Sequence, residues 1–180
     1  MNYFLTGKKH LGKSTVRRRI LALLGCSYGG FETVVVRAEN GAGKSCHILP
    51  CFSGPLPEDF SPLPTEENTV FLCPRGETVL PALDRIAEAV VTRVLAEKPD
   101  VIVMDELGPA ESGDRTFQAL VTRCLDSEIP VLGVLQQCDP GWLDGIRARS
   151  DTAVFEVTEE NRDSIAETVA RNIREEYSRM

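Results

Sequence analysis

The stretch GKKHLGKS, Gly7–Ser14, decides how this chain folds. A short apolar run, Tyr3–Thr6, leads into it and predicts a buried strand. After it, apolar residues recur at helical spacing from Val16 to Leu24, which predicts an amphipathic helix. A strand, a glycine-rich turn and a helix in this order place backbone N–H groups and a helix N-terminus around one point. The stretch is therefore predicted to be a phosphate-binding loop.

Each position of the loop has an expected role, because its spacing satisfies G-x-x-x-x-G-K-[ST] in full. Lys13 is expected to reach the β- and γ-phosphates and to stabilise charge during phosphoryl transfer. Ser14 is expected to bind Mg²⁺, and Thr15 to contact the α-phosphate. The predicted nucleotide-binding residues of this segment are Gly7, Lys8, Lys9, His10, Leu11, Gly12, Lys13, Ser14 and Thr15.

A second Gly-Lys-Ser triplet, residues 43–45, is predicted not to bind phosphate. In AENGAGKS, Ala38 stands where the first glycine of the pattern belongs. The residues after the triplet, SCHILPCF, are typical of a strand, whereas a phosphate loop needs a helix there. Asn40-Gly41 is a common turn dipeptide between paired strands. We interpret this region as a β-hairpin inserted after the first helix.

A metal-binding carboxylate is predicted at the end of the apolar run VIVMDE. The run is typical of a parallel strand that is buried on both faces. Asp105 is expected to hold the magnesium shell through water, and Glu106 to polarise an attacking water molecule. The alternative is that these acids only cap the following helix. The Asp-Glu pair follows the phosphate loop at a distance that leaves room for an intervening strand. This arrangement indicates the P-loop division that uses a catalytic glutamate.

The pattern along the chain predicts one α/β domain over residues 1–180. Apolar runs of strand length alternate with amphipathic helices at residues 79–95 and 165–177, and Ser112 is placed to cap a further helix. Such alternation is typical of a mostly parallel central sheet flanked by helices. The proline-rich segment 53–68 is expected to be a loop.

Composition restricts the class of function. The net charge of −7 argues against a nucleic-acid binder, and no apolar run approaches the length of a membrane helix. Six cysteines without a CxxC pair are expected to be reduced thiols in a cytoplasmic protein. No acid precedes Glu32, so the positively charged amino-terminal end suits a compact polyanion such as a nucleotide. A solvated basic helix face explains Arg17–Arg19 equally well.

For the oligomeric state, a monomer is favoured over an oligomer.

Three further residues are weaker candidates. Arg162, in the segment TEENRD, is placed among the nucleotide-binding residues, although solvated charge is the ordinary reading of that segment. Gln136 ends a predicted strand where a γ-phosphate sensor is often found. Trp142 is expected to pack in the core rather than to stack on a base.

Taken in order, these motifs resemble the small nucleoside-triphosphatase family of P-loop NTPases, typified by the cancer-related NTPase and its microbial relatives. The family has a Gly-Phe-x-Thr hairpin leading to Arg, an Asp-Glu-x-Gly segment followed by Glu and Ser, and a late Glu-Asn-Arg-Asp. The matching residues here are Gly30, Phe31, Thr33, Arg37, Asp105, Glu106, Gly108, Glu111, Ser112 and Glu160–Asp163. The resemblance implies Mg²⁺-dependent hydrolysis of ATP, GTP and other nucleoside triphosphates to diphosphates.

The chain departs from this pattern at two places. Pro109 and Ala110 replace the usual Lys-Met, and Gln136-Gln137 replace a basic pair. These departures keep open a nucleotide-dependent binding module with little turnover. A small-molecule kinase is the other alternative, although no arginine-rich lid segment is visible. Phosphate release without an added acceptor distinguishes hydrolase from kinase.

Replacement of lysine by alanine is predicted to have opposite outcomes in the two triplets. Lys13→Ala should abolish nucleotide binding or turnover, because it removes the cation expected at the β- and γ-phosphates. Lys44→Ala should leave both nearly intact. Nucleotide affinity and phosphate release, measured on both purified variants, check this. Equal losses from the two changes would overturn the hairpin interpretation.

Overall fold

The computed structural model describes residues 1–37, 43–56, 60–73, 77–137 and 141–177. Within these ranges the strands are β1 (Asn2–Thr6), β2 (Tyr28–Arg37), β3 (Lys44–Phe52), β4 (Thr69–Cys73), β5 (Glu77–Thr78), β6 (Val101–Leu107), β7 (Val131–Leu135) and β8 (Thr152–Glu156). The α-helices are α1 (Lys13–Leu24), α2 (Leu80–Glu97), α3 (Arg115–Leu125), α4 (Trp142–Arg147) and α5 (Ile165–Tyr177). Two short 3₁₀ helices, Glu66–Asn68 and Pro109–Glu111, complete the described elements.

The strands form one sheet in the order β5-β4-β3-β2-β6-β7-β1-β8. Five neighbouring strands, from β2 to β8, are parallel, and β3, β4 and β5 extend the sheet antiparallel at one edge. The predicted α/β class with a mostly parallel central sheet flanked by helices is confirmed. Because the carboxyl ends of parallel strands meet at one edge, the segments after β1, β6, β7 and β8 are brought together there.

Helices cover both faces of the sheet, and alternation along each strand divides the core between them. On β1, Phe4 belongs to the apolar cluster with α2 and α3, whereas Leu5 belongs to the cluster with α1 and α5. All five residues of β7 are buried, as the uninterrupted apolar run predicts for a strand covered on both faces. This double covering makes the central strands a rigid base for the segments that follow them.

Close approach at β7 requires a residue without a side chain. A Cβ atom added to Gly133 would lie 2.6 Å from the carbonyl oxygen of Met104 on β6. It would also lie 2.5 Å from the ring of Phe4 on β1. The bulky Phe4 ring therefore packs across β7 only because position 133 is glycine.

The second Gly-Lys-Ser triplet leads into a strand and not into a helix. Lys44 is the first residue of β3, which pairs antiparallel with β2 from Arg37↔Lys44 to Gly29↔Phe52. The predicted turn at Asn40-Gly41 lies outside the described residues. Without a helix after Ser45, the triplet lacks the dipole and the free N–H groups that an anion site uses.

Local details differ from the sequence-based expectations. Asp114, and not Ser112, caps α3: its Oδ1 accepts a hydrogen bond of 2.9 Å from the backbone N–H of Phe117. Helix α4 and the two-residue strand β5 were not predicted, since both are too short for periodicity to reveal.

Among the described residues, no helix has the length and apolar character needed to cross a membrane.

The packing around Gly133 predicts a large loss of stability on adding one methyl group. Gly133→Ala should lower the free energy of unfolding by about 1–3 kcal/mol or more, because backbone and a core ring must move. Gly145→Ala is the matched control: it lies in α4, where an added Cβ meets nothing within 4 Å. That change should be neutral or stabilising by roughly 0.5–1 kcal/mol. Urea unfolding of both variants tests the difference, and equal effects would contradict it.

Candidate active site

The loop between β1 and α1 curls through three residues with positive φ. Gly7 has φ 137°, His10 has φ 67° and Gly12 has φ 82°. A Cβ atom on Gly7 would lie 2.5 Å from the carbonyl oxygen of Val157, just after β8. Gly7 thus needs both its conformational freedom and its lack of a side chain. The sharp curl ends where α1 begins at Lys13, so the free N–H groups of the helix face the inside of the loop.

Lys13 lies inside this loop. Its side chain is 7% exposed, and Nζ donates hydrogen bonds to the carbonyl oxygens of Gly7 (2.9 Å) and Lys8 (2.8 Å). Burial lowers the pKa of Lys13 below its ordinary value, while the carboxylates of Glu106 and Asp105 oppose this shift. The ammonium group therefore lies near the acids at the end of β6.

The other predicted loop residues differ in exposure. Gly7 is buried, and Leu11 and Ser14 are half-buried; the exposed ones are Lys8, Lys9, His10, Gly12 and Thr15. Exposed cations at the mouth and a buried ammonium inside give the loop a positive electrostatic potential. Such an arrangement attracts a polyphosphate.

Asp105, predicted to hold the magnesium shell, lies in contact with the loop. It is 2% exposed, and Ser14 Oγ donates a hydrogen bond of 3.3 Å to its Oδ1. Its Oδ2 is buried without a hydrogen-bond partner, 3.4 Å from Arg17 Nη2. Burial raises the pKa of Asp105, and the positive charge of Arg17 and the hydroxyl of Ser14 act against this shift.

The side-chain oxygens of Ser14 and Asp105 are of the chemical type that a magnesium ion binds. Mg²⁺ prefers hard oxygen donors and is commonly held by one or two side chains together with substrate phosphates. Here the hydroxyl of Ser14 and Oδ1 of Asp105 lie within hydrogen-bond distance of each other beside the loop. In the described ranges, no group of three or more His, Cys, Asp or Glu residues could hold a metal ion.

Arg17 is a member of this site that the sequence interpretation missed. It is 1% exposed, and Nη2 lies 2.7 Å from Glu32 Oε2 on β2. Arg18 and Arg19 are 61% and 50% exposed, so the solvated basic face describes them but not Arg17. The signal was in the sequence: position 17 has helical spacing to the buried Ile20 and therefore falls on the inner face of α1.

Glu106 follows Asp105 with a left-handed backbone, φ 59°, which is uncommon for residues other than glycine. Its side chain is half-buried. Burial and the neighbouring charge of Asp105 raise the pKa of Glu106 above its ordinary value, while Lys13 and Lys9 lower it. A carboxylate whose pKa is shifted by burial and by neighbouring charges, next to a cationic loop, is a candidate for a functional role.

Three side chains meet around Gly108, just after Glu106. Glu111 Oε2 accepts a hydrogen bond of 2.9 Å from the Gly108 N–H, and Trp142 Nε1 donates one of 2.8 Å to the Gly108 carbonyl oxygen. The amide of Gln136 packs so closely that a Cβ on Gly108 would lie 2.8 Å from it. Trp142 also packs edge-on against Phe117, as expected for a core residue.

Arg162 lies in the turn between β8 and α5 and is exposed. The turn is held by Asn161, whose Oδ1 accepts from the N–H of Thr158 at 2.8 Å and whose Nδ2 donates to the carbonyl oxygen of Glu156. Because Val157 contacts Gly7, this turn lies beside the phosphate loop. Asn161 thus has a structural role, and nucleotide binding by Arg162 stays a prediction.

The fold and the loop define a nucleoside-triphosphate-binding α/β protein, and comparisons with known proteins identify the family. The NTPase family model matches residues 2–170. The chain is 34% identical to a nucleoside-triphosphatase THEP1 of Natranaerobius thermophilus over 97% of each chain. It is 31% identical to that of Thermofilum pendens, covering 96% of this chain and 94% of the relative. The chain belongs to the NTPase family, and the resemblance inferred from the sequence is confirmed.

Solved structures share the fold. THEP1 from Aquifex aeolicus superposes with a TM-score of 0.67 at 22% identity, covering 94% of this chain and 96% of the other. A human cancer-related nucleoside triphosphatase superposes with a TM-score of 0.66, also at 22% identity, covering 97% of each chain. The sheet with its loop between β1 and α1 is thus an arrangement that distant proteins also adopt.

The surroundings of Glu111 predict a pH-dependent stability. Burial raises the pKa of Glu111 to about 7, with smaller contributions from Asp114 and Glu106, against an ordinary value of 4.5. The native state therefore holds this proton more tightly than the unfolded chain does. The free energy of unfolding should fall as pH rises from 4.5 towards 7. In Glu111→Gln the free energy of unfolding should fall less over the same range.

Urea unfolding of wild type and Glu111→Gln across this pH range measures the difference. The glutamine keeps an acceptor for the Gly108 N–H, so packing is preserved. Glu175→Gln, which changes an exposed acid on α5, is the control and should run parallel to wild type. A Glu111→Gln curve that is also parallel to wild type would contradict the assignment.

Proposed function

We propose that this protein is a Mg²⁺-dependent nucleoside-triphosphatase that hydrolyses ATP, GTP and other nucleoside triphosphates to diphosphate and phosphate. The observation that carries the proposal is the contact of Ser14 with Asp105. It brings the loop after β1 together with the acids at the end of β6. Membership of the NTPase family and relatives named nucleoside-triphosphatase support it. We assign residues 1–180 to one P-loop domain of the catalytic-glutamate division, with a hairpin insertion after α1.

Nucleotide binding is assigned to residues 7–15. The backbone N–H groups of the loop and the N-terminus of α1 provide donors for phosphate oxygens. Lys13 adds a desolvated positive charge, which is more effective for transition-state stabilisation than a hydrated one. Arg162, on the exposed turn beside the loop, is assigned to the nucleotide as well.

Metal binding is assigned to Ser14 and Asp105, whose oxygens fit the ion as described above. When bound, Mg²⁺ neutralises charge on the β- and γ-phosphates and orients them. Arg17 holds the second oxygen of Asp105 and is itself held by Glu32, so the carboxylate has few alternative orientations. The chain thereby supplies a preoriented ligand pair.

Proton transfer is assigned to Glu106. Its raised pKa makes the carboxylate a stronger base than an ordinary glutamate, and it remains ionised at pH values above that pKa. In this role it orients a water molecule and accepts its proton as the water oxygen bonds to the γ-phosphorus, while the bond from the γ-phosphorus to the bridging oxygen breaks and the nucleoside diphosphate leaves. The nearby Lys13 compensates the negative charge that develops on the phosphoryl oxygens.

The cell compartment is assigned from the cysteines. Cys26, Cys46, Cys51, Cys73 and Cys124 are all free thiols, and Cys138 lies outside the described residues. Free thiols are typical of a reducing compartment, which supports a cytoplasmic location. The expected substrate is a nucleoside triphosphate, without nucleic acid or membrane as a partner.

Glu106→Gln tests this assignment, because the change keeps the shape of the side chain but removes its negative charge. Single-turnover hydrolysis should slow by ~10²–10⁴-fold, the usual contribution of a general base. Nucleotide affinity should stay within a few-fold, since Lys13, Ser14 and Asp105 are untouched. A rate within about threefold of wild type would identify Glu106 as a capping acid.

Two controls accompany this measurement. Asp105→Asn should raise the Mg²⁺ concentration needed for turnover, and chelation of Mg²⁺ should stop turnover in the wild type. A metal-independent activity would refute the assignment of Ser14 and Asp105. Release of phosphate with no acceptor added excludes the kinase alternative, and multiple turnovers exclude the binding module.

A further inference from the structure

The left-handed backbone of Glu106 needs an explanation beyond the local sequence. A non-glycine residue in this conformation persists only where its surroundings determine it, and such residues cluster at functional sites. The assignment of Glu106 as the base makes the orientation of this residue important. The groups that hold the segment around it lie on β2, on α4 and just after β7.

Glu106 lies at an irregularity between β6 and β7. Met104 pairs with Gly133 and Leu107 pairs with Leu135, so β6 has two residues, Asp105 and Glu106, where β7 has one. Such a bulge turns side chains away from the regular alternation of a strand and is often found next to active sites. It allows Asp105 and Glu106 to serve different roles at adjacent positions.

Hydrogen bonds from β2 and β7 hold the peptides on both sides of Glu106. Thr33 Oγ1 on β2 donates to the carbonyl oxygen of Asp105 at 3.3 Å. The N–H of Gln136, just after β7, donates to the carbonyl oxygen of Leu107 at 2.9 Å. The carbonyl groups of the two residues that flank Glu106 are thus both fixed.

The next peptide is held by a side chain. Trp142 Nε1 on α4 donates to the carbonyl oxygen of Gly108 at 2.8 Å. The indole is itself fixed, because it packs edge-on against Phe117 with 6.4 Å between ring centroids. Phe117 is 2% exposed and in turn packs against Phe31 on β2 at 5.7 Å. A rigid aromatic group therefore sets the position of the segment that leaves Glu106.

We propose that Trp142 is a positioning residue for hydrolysis: its indole N–H holds Gly108 and so keeps Glu106 in the left-handed conformation that directs its carboxylate to the attacking water. This inference rests on the proposed role of Glu106 as the base. A purely structural tryptophan would support the fold without any selective effect on the chemical step. The two roles make different predictions for one substitution.

Trp142→Phe retains an aromatic ring against Phe117 but removes the N–H donor. We expect kcat to fall by roughly 10-fold to 10²-fold, as for a small misplacement of a catalytic group. KM for the nucleoside triphosphate should change by less than about threefold, because Trp142 is proposed to act on Glu106 and not on the residues that bind the nucleotide. Tyr3→Phe is the matched control, since it removes a hydroxyl donor at the amino end of β1. It should leave kcat unchanged.

A double-mutant cycle with Glu106→Gln separates positioning from stability. If Trp142 acts through Glu106, then Trp142→Phe should slow the wild type but should have no further effect on Glu106→Gln. The same fold loss in both backgrounds would overturn the proposal. An unchanged kcat in Trp142→Phe, with a slow Glu106→Gln, would overturn it while leaving the base assignment intact. A Glu106→Gln enzyme with the wild-type rate would instead refute the base assignment and, with it, this inference.

A spectroscopic measurement keeps the test valid should Trp142→Phe not fold. The chain has one tryptophan, so a single indole N–H resonance appears in a ¹H–¹⁵N spectrum. Glu106→Gly, which relaxes the backbone requirement at that position, should shift this resonance. Tyr3→Phe should not shift it. An indole resonance that is identical in wild type and Glu106→Gly would contradict the coupling between the two residues.

Discussion

The contact between α1 and the end of β6 is the interaction on which the rest of the site depends. Ser14 and Arg17, on successive turns of α1, approach the two oxygens of Asp105 from the same helix. In the sheet, β7 separates β1 from β6, so the loop that follows β1 has to extend across one strand to reach Asp105. The parallel arrangement makes this possible, because it places the carboxyl ends of these strands side by side.

The charges in this contact are buried, and burial determines what they can contribute. Removing a carboxylate and a guanidinium from water costs several kcal/mol for each ion, and their mutual attraction regains that cost only with good geometry. Arg17 also pairs with Glu32 on β2, and Asp105 keeps one oxygen without a hydrogen-bond partner. Such a network adds little net stability. Its contacts do restrict the orientations that Asp105 can take relative to the phosphate loop.

Sequence reasoning recovered those parts of the site that short, local patterns encode. The loop between a strand and a helix, and the acid at the end of a buried run, follow from residue types and their spacing alone. Arg17 was misread because charge was weighed above periodicity, although its position on α1 indicated burial. The left-handed backbone of Glu106 and the contact of Trp142 with Gly108 leave no local signal. They arise where β2, β7 and α4 converge on one segment.

The departures from the family pattern after Gly108 make physical sense in this segment. Pro109 stands at the start of a 3₁₀ helix, where a missing N–H leaves no hydrogen bond unmade. The helix turns Glu111 back so that its carboxylate accepts the N–H of Gly108, while Trp142 holds the carbonyl of the same residue. Both polar groups of Gly108 are thereby satisfied by side chains. A segment held in this way needs no lysine to keep its shape, and so the absence of that basic residue is compatible with an ordered Glu106.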